Sequence, residues 1–152
     1  LIGYRIGEGR ADLAKEQGMR SMATTAICAT ACSAILYLLS GRFLGLFSSD
    51  PVAVRLCEEL LFLTIVVAPF FAINMVLFHA LRAAQDVRWP VLASQILTWG
   101  FGLPLAWILC VHFEFGVVGV WYAFIFEEAL KALAMCLRWQ RSLFVKDSFG
   151  DS

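Results

Sequence analysis

The sequence predicts an all-α protein, a multi-pass transmembrane helical bundle with four spans, and three observations predict this class. The 152-residue chain is 61% hydrophobic, with a mean hydropathy of +0.77, well above that of a typical soluble domain. Its apolar residues are concentrated in four stretches, each near the length of about 20 residues that a helix needs to cross a bilayer. Charged residues make up 16% of the chain and fall mostly between these stretches.

The elements follow in order along the chain. A glycine-rich opening with Gly3, Gly7 and Gly9 predicts a cytoplasmic turn before the first span. Asp50 followed by Pro51 predicts the start of the second helix, because Asp caps helix N-termini and Pro suits the first helical position. The final segment is expected to form a cytoplasmic tail. The predicted spans are residues 18–39, 56–81, 89–111 and 116–137, and the tail is 138–152.

Composition excludes several classes of protein. Four helices with short links leave no room for a soluble catalytic domain, and no nucleophile, base and oxyanion donor assemble, so the chain is not expected to be an enzyme and no catalytic residue is predicted. Zero net charge provides no basic surface for nucleic acid. Cys28 and Cys32 share a helix face without a His or a further Cys, so no metal site is predicted. No residues for binding an organic cofactor are predicted either.

The distribution of Lys and Arg predicts an orientation. Nine of them lie on one side of the predicted membrane, whereas the opposite loops hold Arg42 and Arg55. The richer side is expected to be cytoplasmic, which places the C-terminus in the cytoplasm. The nine residues are Arg5, Arg10, Lys15, Arg20, Arg82, Arg88, Arg138, Arg141 and Lys146.

Two prolines interrupt the middle spans. Pro69 lies in the second span, and Pro104 lies in the third beside Gly100 and Gly102. Proline removes a backbone hydrogen bond and kinks a helix, so both positions are predicted helix bends. Two neighbouring bends suit a moving element or a cavity, although proline is also commoner in transmembrane helices than in soluble ones.

Polar side chains inside these spans are few. Asn74, Gln95 and Thr98 are the candidates for lining a substrate pathway. The alternative is that they form hydrogen bonds between helices, each worth about 0.6 kcal/mol on average.

The fourth span carries the sharpest anomaly, the charged residues Glu127, Glu128 and Lys131. They begin roughly 16 Å from its outer end at 1.5 Å per residue, close to mid-depth. A charge there costs about 2.5–3.5 kcal/mol. Lys131 lies three and four residues after the two acids and can pair with them on one helix face. This intramembrane charge cluster is either proton-linked or a structural ion pair.

Several motifs in order resemble the multidrug and toxic compound extrusion (MATE) transporters of bacterial type. The opening from Ile2-Gly3 to Gly9-Arg10 resembles their glycine-rich cytoplasmic loop. The run Leu81-Arg82-Ala83-Ala84-Gln85-Asp86 resembles a signature in which Gln85 replaces the usual Gly. Gly116-Val117-Val118-Gly119-Val120-Trp121 resembles the entry to the last helix. The resemblance covers nearly the whole chain.

The resemblance implies a twelve-helix protein of two six-helix lobes, of which this chain is the C-terminal portion. It implies a secondary active transporter in the bacterial inner membrane that rocks between two states. Expected partners are membrane lipid, the N-terminal lobe, and small cationic or aromatic substrates exported in exchange for H⁺ or Na⁺. Some members place a sodium-binding acid at the position of Phe71, which cannot ligate a cation.

Two other functions stay open. A lipid-linked saccharide flippase of the same superfamily tends to carry intramembrane Arg and Lys for a pyrophosphate, and this chain offers Lys131 alone. A non-transporting membrane assembly subunit is the alternative from another class. A native gene that encodes only these four spans would support it.

Overall fold

The computed structural model describes residues 11–47 and 50–147 and confirms the all-α class. Four helices follow one another: α1 (Ala11–Phe47), α2 (Pro51–Ala83), α3 (Arg88–His112) and α4 (Gly116–Asp147). Each contains one predicted span, and α1 and α4 extend beyond theirs by several residues, so that α4 runs well past Leu137. The predicted glycine-rich turn and residues 148–152 lie outside the described residues.

Three of the helices are long and apolar enough to cross a membrane. They are Glu16–Gly45 within α1, the whole of α2, and the whole of α3. Helix α4 has 32 residues and is also long enough, but Glu127, Glu128 and Lys131 interrupt its apolar part. Its place in a membrane therefore depends on how its neighbours shield these charges.

Helix α2 begins as the sequence predicts. The side chain of Asp50 accepts a hydrogen bond of 2.9 Å from the backbone N–H of Val52, and Pro51 occupies the first turn. At the other end, a tight turn joins α2 to α3. Gln85 lies in this turn with φ +66°, a left-handed conformation that favours glycine.

Helix α3 is irregular. Two π-helical segments, Thr98–Gly102 and Ile108–His112, flank the short α-helical stretch Leu103–Trp107. A π segment accommodates an extra residue per turn and is a known cause of helix distortion. Pro104 is the second residue after the first π segment, whereas Pro69 lies within the uninterrupted helix α2. The bends predicted at these prolines stay predictions.

Helix α4 is the centre of the arrangement. It packs against both α2 and α3, which make little contact with each other, and α1 packs mainly against α2. Towards the end of α4, Trp139 is buried with Leu77, Leu81 and Met135 in an apolar core. Most other large apolar side chains of the described helices are exposed, as expected for surfaces that face lipid or other protein.

An ion pair joins α4 to the α2–α3 turn at the end of the molecule that contains Trp139. Arg138 donates a hydrogen bond of 2.7 Å to Asp86 in the α2–α3 turn. Its guanidinium also lies 5.4 Å from the ring centroid of Trp89, within range of a cation–π contact. Helix α1 reaches the same region, because Gly18 packs against Trp139. The turn, α4 and α1 are thereby held together.

Candidate functional site

The charged residues of α4 face two different helices. Successive residues of a helix point about 100° apart, since a turn contains 3.6 residues. Glu128 therefore faces α2, and its neighbour Glu127 faces α3. Both side chains are buried, with residue exposures of 7% for Glu127 and 4% for Glu128. The pair of adjacent acids thus links α4 to both of its main neighbours.

Asn74 of α2 is the partner of Glu128. Its amide nitrogen Nδ2 donates to Oε2 of Glu128 at 2.6 Å and to the backbone carbonyl of Glu128 at 3.0 Å. The amide oxygen Oδ1 of Asn74 is also buried, and no described group donates a hydrogen bond to it. A buried acceptor without a donor is uncommon and calls for an explanation.

Thr98 of α3 is the partner of Glu127. Its hydroxyl donates to Oε1 of Glu127 at 2.5 Å. Gly102, one turn further along α3, makes room for the same carboxylate, because a methyl group there would overlap it. Thr98 and Gly102 are the first and last residues of the first π segment. The irregular part of α3 therefore shapes the pocket for Glu127.

Lys131 joins the two acids. Its ammonium nitrogen Nζ lies 2.5 Å from Oε1 of Glu127 and 3.1 Å from Oε1 of Glu128. The side chains are 14%, 9% and 5% exposed for Lys131, Glu127 and Glu128 respectively. Two carboxylates and one ammonium carry a formal charge of −1. In a buried setting such an excess is costly unless a further positive charge compensates it.

A small cavity of about 130 Å³ borders this cluster. Asn74, Ser94, Glu128 and Lys131 supply its polar wall, and apolar side chains that include Phe71 supply the rest. Phe71 is thus part of the apolar wall of this cavity.

A larger cavity of about 510 Å³ lies between α3 and α4. Phe101 and Phe126 stack beside it with ring centroids 5.5 Å apart. Glu127 of the charge cluster directly follows Phe126, and Gly102, which lies against the Glu127 carboxylate, directly follows Phe101. The full lining is Phe101, Leu105, Leu109, Tyr122, Ile125 and Phe126.

The structure brings together most of the residues that the sequence singled out. Asn74 and Thr98 meet the charge cluster from two helices, as interhelical hydrogen-bond partners. Gln95 does not: it is exposed and accepts a 2.9 Å hydrogen bond from the indole N–H of Trp99. Its role in a substrate pathway stays a prediction.

Sequence reasoning missed the part that Gly102 has in the site. In the sequence, Gly102 stands out only as a glycine near Pro104. Its spacing of four residues from Thr98 places both residues on one face of a helix, and this spacing is the one sequence signal that links Gly102 to the site. That signal says nothing about which side chain needs the space.

Apolar helices that bury a hydrogen-bonded charge cluster between them define a membrane-embedded protein, with an arrangement typical of multi-pass transporters. The particular family follows from comparison. The chain belongs to the MatE family, whose model matches residues 1–108. Members of this family are transporters and not enzymes.

Curated relatives agree with this assignment. The chain is 34% identical over 146 residues to the "Uncharacterized transporter YisQ" of Bacillus subtilis (strain 168), covering 96% of the chain and 32% of the relative. It is 28% identical over 137 residues to the "Probable multidrug resistance protein NorM" of Bacillus cereus, covering 90% and 30%. A protein of the same name from Brucella suis biovar 1 is 30% identical over 114 residues, covering 72% and 24%.

The chain therefore spans about a third of the length of the first two of these relatives. No solved structure matches the chain.

Proposed function

We propose that this chain is the C-terminal portion of a secondary active transporter that exports cationic drugs or toxic metabolites in exchange for protons or sodium ions. The observation that carries the proposal is the buried cluster of Glu127, Glu128 and Lys131, with its formal charge of −1. An excess negative charge inside a membrane protein is suited to binding and releasing a cation. Family membership and the printed name of the NorM relatives support the same function.

The chemistry of the cavities fits small cationic or aromatic substrates. The apolar cavity beside Phe101 and Phe126 offers ring faces, which attract aromatic groups and cations. The charge cluster begins at Glu127, the residue after Phe126 on α4. We propose that the substrate pathway runs along this side of α3 and α4. The coupling ion binds at the charge cluster of Glu127, Glu128 and Lys131.

The proposed location is the bacterial inner membrane, with the C-terminus in the cytoplasm. The support is the distribution of basic residues, nine on one side and two on the other. In this orientation the Asp86–Arg138 ion pair lies at the cytoplasmic end of α4, and Asp50 lies at the opposite surface.

The flippase alternative is less well supported by the geometry. A pyrophosphate group needs free cations, but Lys131 is paired with both carboxylates of the acid pair. The ligand would have to displace both acids from the ammonium. The assembly-subunit alternative is separated from the exporter by the transport assay below.

The test is the accumulation of a cationic fluorescent dye in efflux-deficient bacteria that express the complete protein carrying this chain. We expect lower accumulation than in cells with an empty vector. A protonophore should abolish the difference if coupling is to protons, and replacing external sodium should abolish it if coupling is to sodium. Equal dye levels with and without the protein would refute the exporter.

Variants separate coupling from folding. Glu127→Gln and Glu128→Gln should abolish dye export while the protein reaches the membrane at normal levels. Glu59→Gln is the matched control, since Glu59 is an exposed acid on α2 and contributes nothing to the cluster. Loss of the protein from the membrane in both cluster variants would instead assign the cluster a structural role.

A further inference from the structure

The charge balance of the cluster depends on one side chain, that of Lys131. Within the part of the chain that the structure describes, Lys131 is the cation that pairs with Glu127 and Glu128. The other helices present uncharged groups to the cluster: Asn74 from α2, Thr98 and Ser94 from α3. Helix α1 meets α4 elsewhere, at Trp139. Lys131 thus determines whether the acid pair is compensated.

Lys131 also lies where it can leave the acids. It is the most exposed of the three charged side chains, at 14%, and it lines the 130 Å³ cavity together with Glu128. A lysine carries its ammonium on a flexible stem of four carbon atoms, so the charge can move without movement of the helix. The cavity provides space beside the ammonium for a second occupant.

A separate observation indicates what that occupant is. Asn74 lines the same cavity, is 9% exposed, and carries the buried oxygen Oδ1 that receives no hydrogen bond from any described group. A carbonyl oxygen without a donor, a carboxylate and a hydroxyl are ligands for a small hard cation. All three kinds of group belong to residues that line the cavity, namely Asn74, Glu128 and Ser94.

We propose that Lys131 is a tethered competitor at a monovalent-cation site formed by Glu127, Glu128 and Asn74. The chain's own ammonium and an incoming H⁺ or Na⁺ occupy the acid pair in turn. This inference rests on the proposed function and deepens it, because it identifies the site of the coupling cation and the group that expels it.

The exchange balances in charge and atoms. The site begins at −1 with Lys131 bound to both acids. When a sodium ion enters from the cavity side, it takes the place of the ammonium at Glu128, and the site becomes neutral. When the cation is a proton, a hydronium ion in the cavity supplies it: one O–H bond of the hydronium breaks, one O–H bond forms on the Glu128 carboxylate, and a water molecule is left. The return of Lys131 Nζ to Glu128 Oε1 releases the sodium ion, or returns the proton to a water molecule by the reverse transfer. No other covalent bond forms or breaks.

The first test uses the complete protein in detergent and measures its thermal unfolding midpoint. One series raises sodium against choline at constant ionic strength, and a second series lowers the pH. The unmodified protein should be stabilised in one of the two series, which identifies the cation. In Lys131→Met the half-saturating concentration of that cation should fall by at least about tenfold, because a positive charge within 4–6 Å no longer opposes binding.

The second variant, Lys131→Arg, keeps the positive charge and should change the half-saturating cation concentration in the opposite direction. Lys131→Arg should raise the half-saturating concentration, since a guanidinium binds two carboxylates through a planar fork and is harder to displace. Glu128→Gln should abolish the response, and Glu59→Gln should leave it unchanged. Equal half-saturating concentrations in Lys131→Met, Lys131→Arg and the unmodified protein would overturn the inference. The absence of any response in the unmodified protein would also overturn it.

This test separates the inference from the proposed function. The unfolding midpoint reports cation binding without any need for transport. A protein that exports dye with an unchanged cation response in both Lys131 variants leaves the exporter standing and refutes the tethered competitor. A protein with the expected binding response but no dye export in any ion gradient refutes the exporter and retains the site.

Discussion

Gly102→Ala is the change that tests the geometry of the cluster most directly. A Cβ atom at this position would lie 2.6 Å from the carboxyl carbon of Glu127 and 3.2 Å from its Cγ. Carbon atoms in contact are normally about 3.5–4.0 Å apart, so the carboxylate must withdraw by about 1 Å. It then cannot keep both its bond from Thr98 and its pairing with Lys131, each 2.5 Å long.

The expected cost follows from these contacts. A hydrogen bond to a charged group contributes about 1.5–3 kcal/mol in proteins, and hydrogen bonds between membrane helices average about 0.6 kcal/mol. Replacing a helical glycine by alanine contributes up to about 1 kcal/mol in the opposite direction. We expect Gly102→Ala to lower the free energy of unfolding by about 1–2 kcal/mol and to reduce dye export.

Gly100→Ala is the matched control. Gly100 belongs to the same π segment, and a Cβ atom there meets nothing within 4 Å. This variant should be as stable as the unmodified protein or more stable by up to about 1 kcal/mol. Thermal unfolding of the purified complete protein in detergent measures both variants.

A double-mutant cycle completes the test. Once Glu127→Ala has removed the carboxylate, Gly102→Ala should cost nothing further, so the two changes should couple by about 1 kcal/mol or more. The reasoning is refuted if the Gly102→Ala and Gly100→Ala variants have the same free energy of unfolding. It is also refuted if the effects of Gly102→Ala and Glu127→Ala on the free energy of unfolding are additive.

Two further predictions concern the turns and the orientation. Gln85→Gly should raise the thermal unfolding midpoint, because Gln85 adopts φ +66°. A left-handed backbone conformation costs a non-glycine residue about 1–2 kcal/mol. An unchanged or lower midpoint would contradict this prediction. In a cysteine-free background, a membrane-impermeant maleimide should label Arg55→Cys in intact cells but Arg88→Cys only after permeabilisation. Both positions are exposed and lie near opposite ends of α2, so the reverse pattern would invert the proposed orientation.

Several elements were predictable because their signals are local. Asp50 and Pro51 start α2 as predicted, since capping uses a side chain two residues from the backbone group that it binds. The pairing of Lys131 with both acids is likewise present, because residues three and four apart share one face of a helix. Gln85 stands where the resembled signature has glycine, and the turn has a positive φ at this residue.

The partners of the buried polar groups were not predictable in this way. Nothing in the sequence near Asn74 indicates that it binds Glu128, which lies 54 residues further along the chain. Thr98 and Gln95 are three residues apart and looked equivalent, yet one meets Glu127 and the other remains exposed. The difference depends on which face of α3 packs against α4, and the π segments change that face within a single turn.

The sequence by itself determined that the chain forms membrane helices, because apolar length and the spacing of charges are properties of one segment at a time. It also determined that three charges lie in the middle of the fourth helix. Only the tertiary structure decided what surrounds them. It set Glu128 against α2 and Glu127 against α3, assigned Gly102 to the Glu127 carboxylate, and left one amide oxygen of Asn74 without a donor. These features arise from contacts between helices, whose register no single segment specifies.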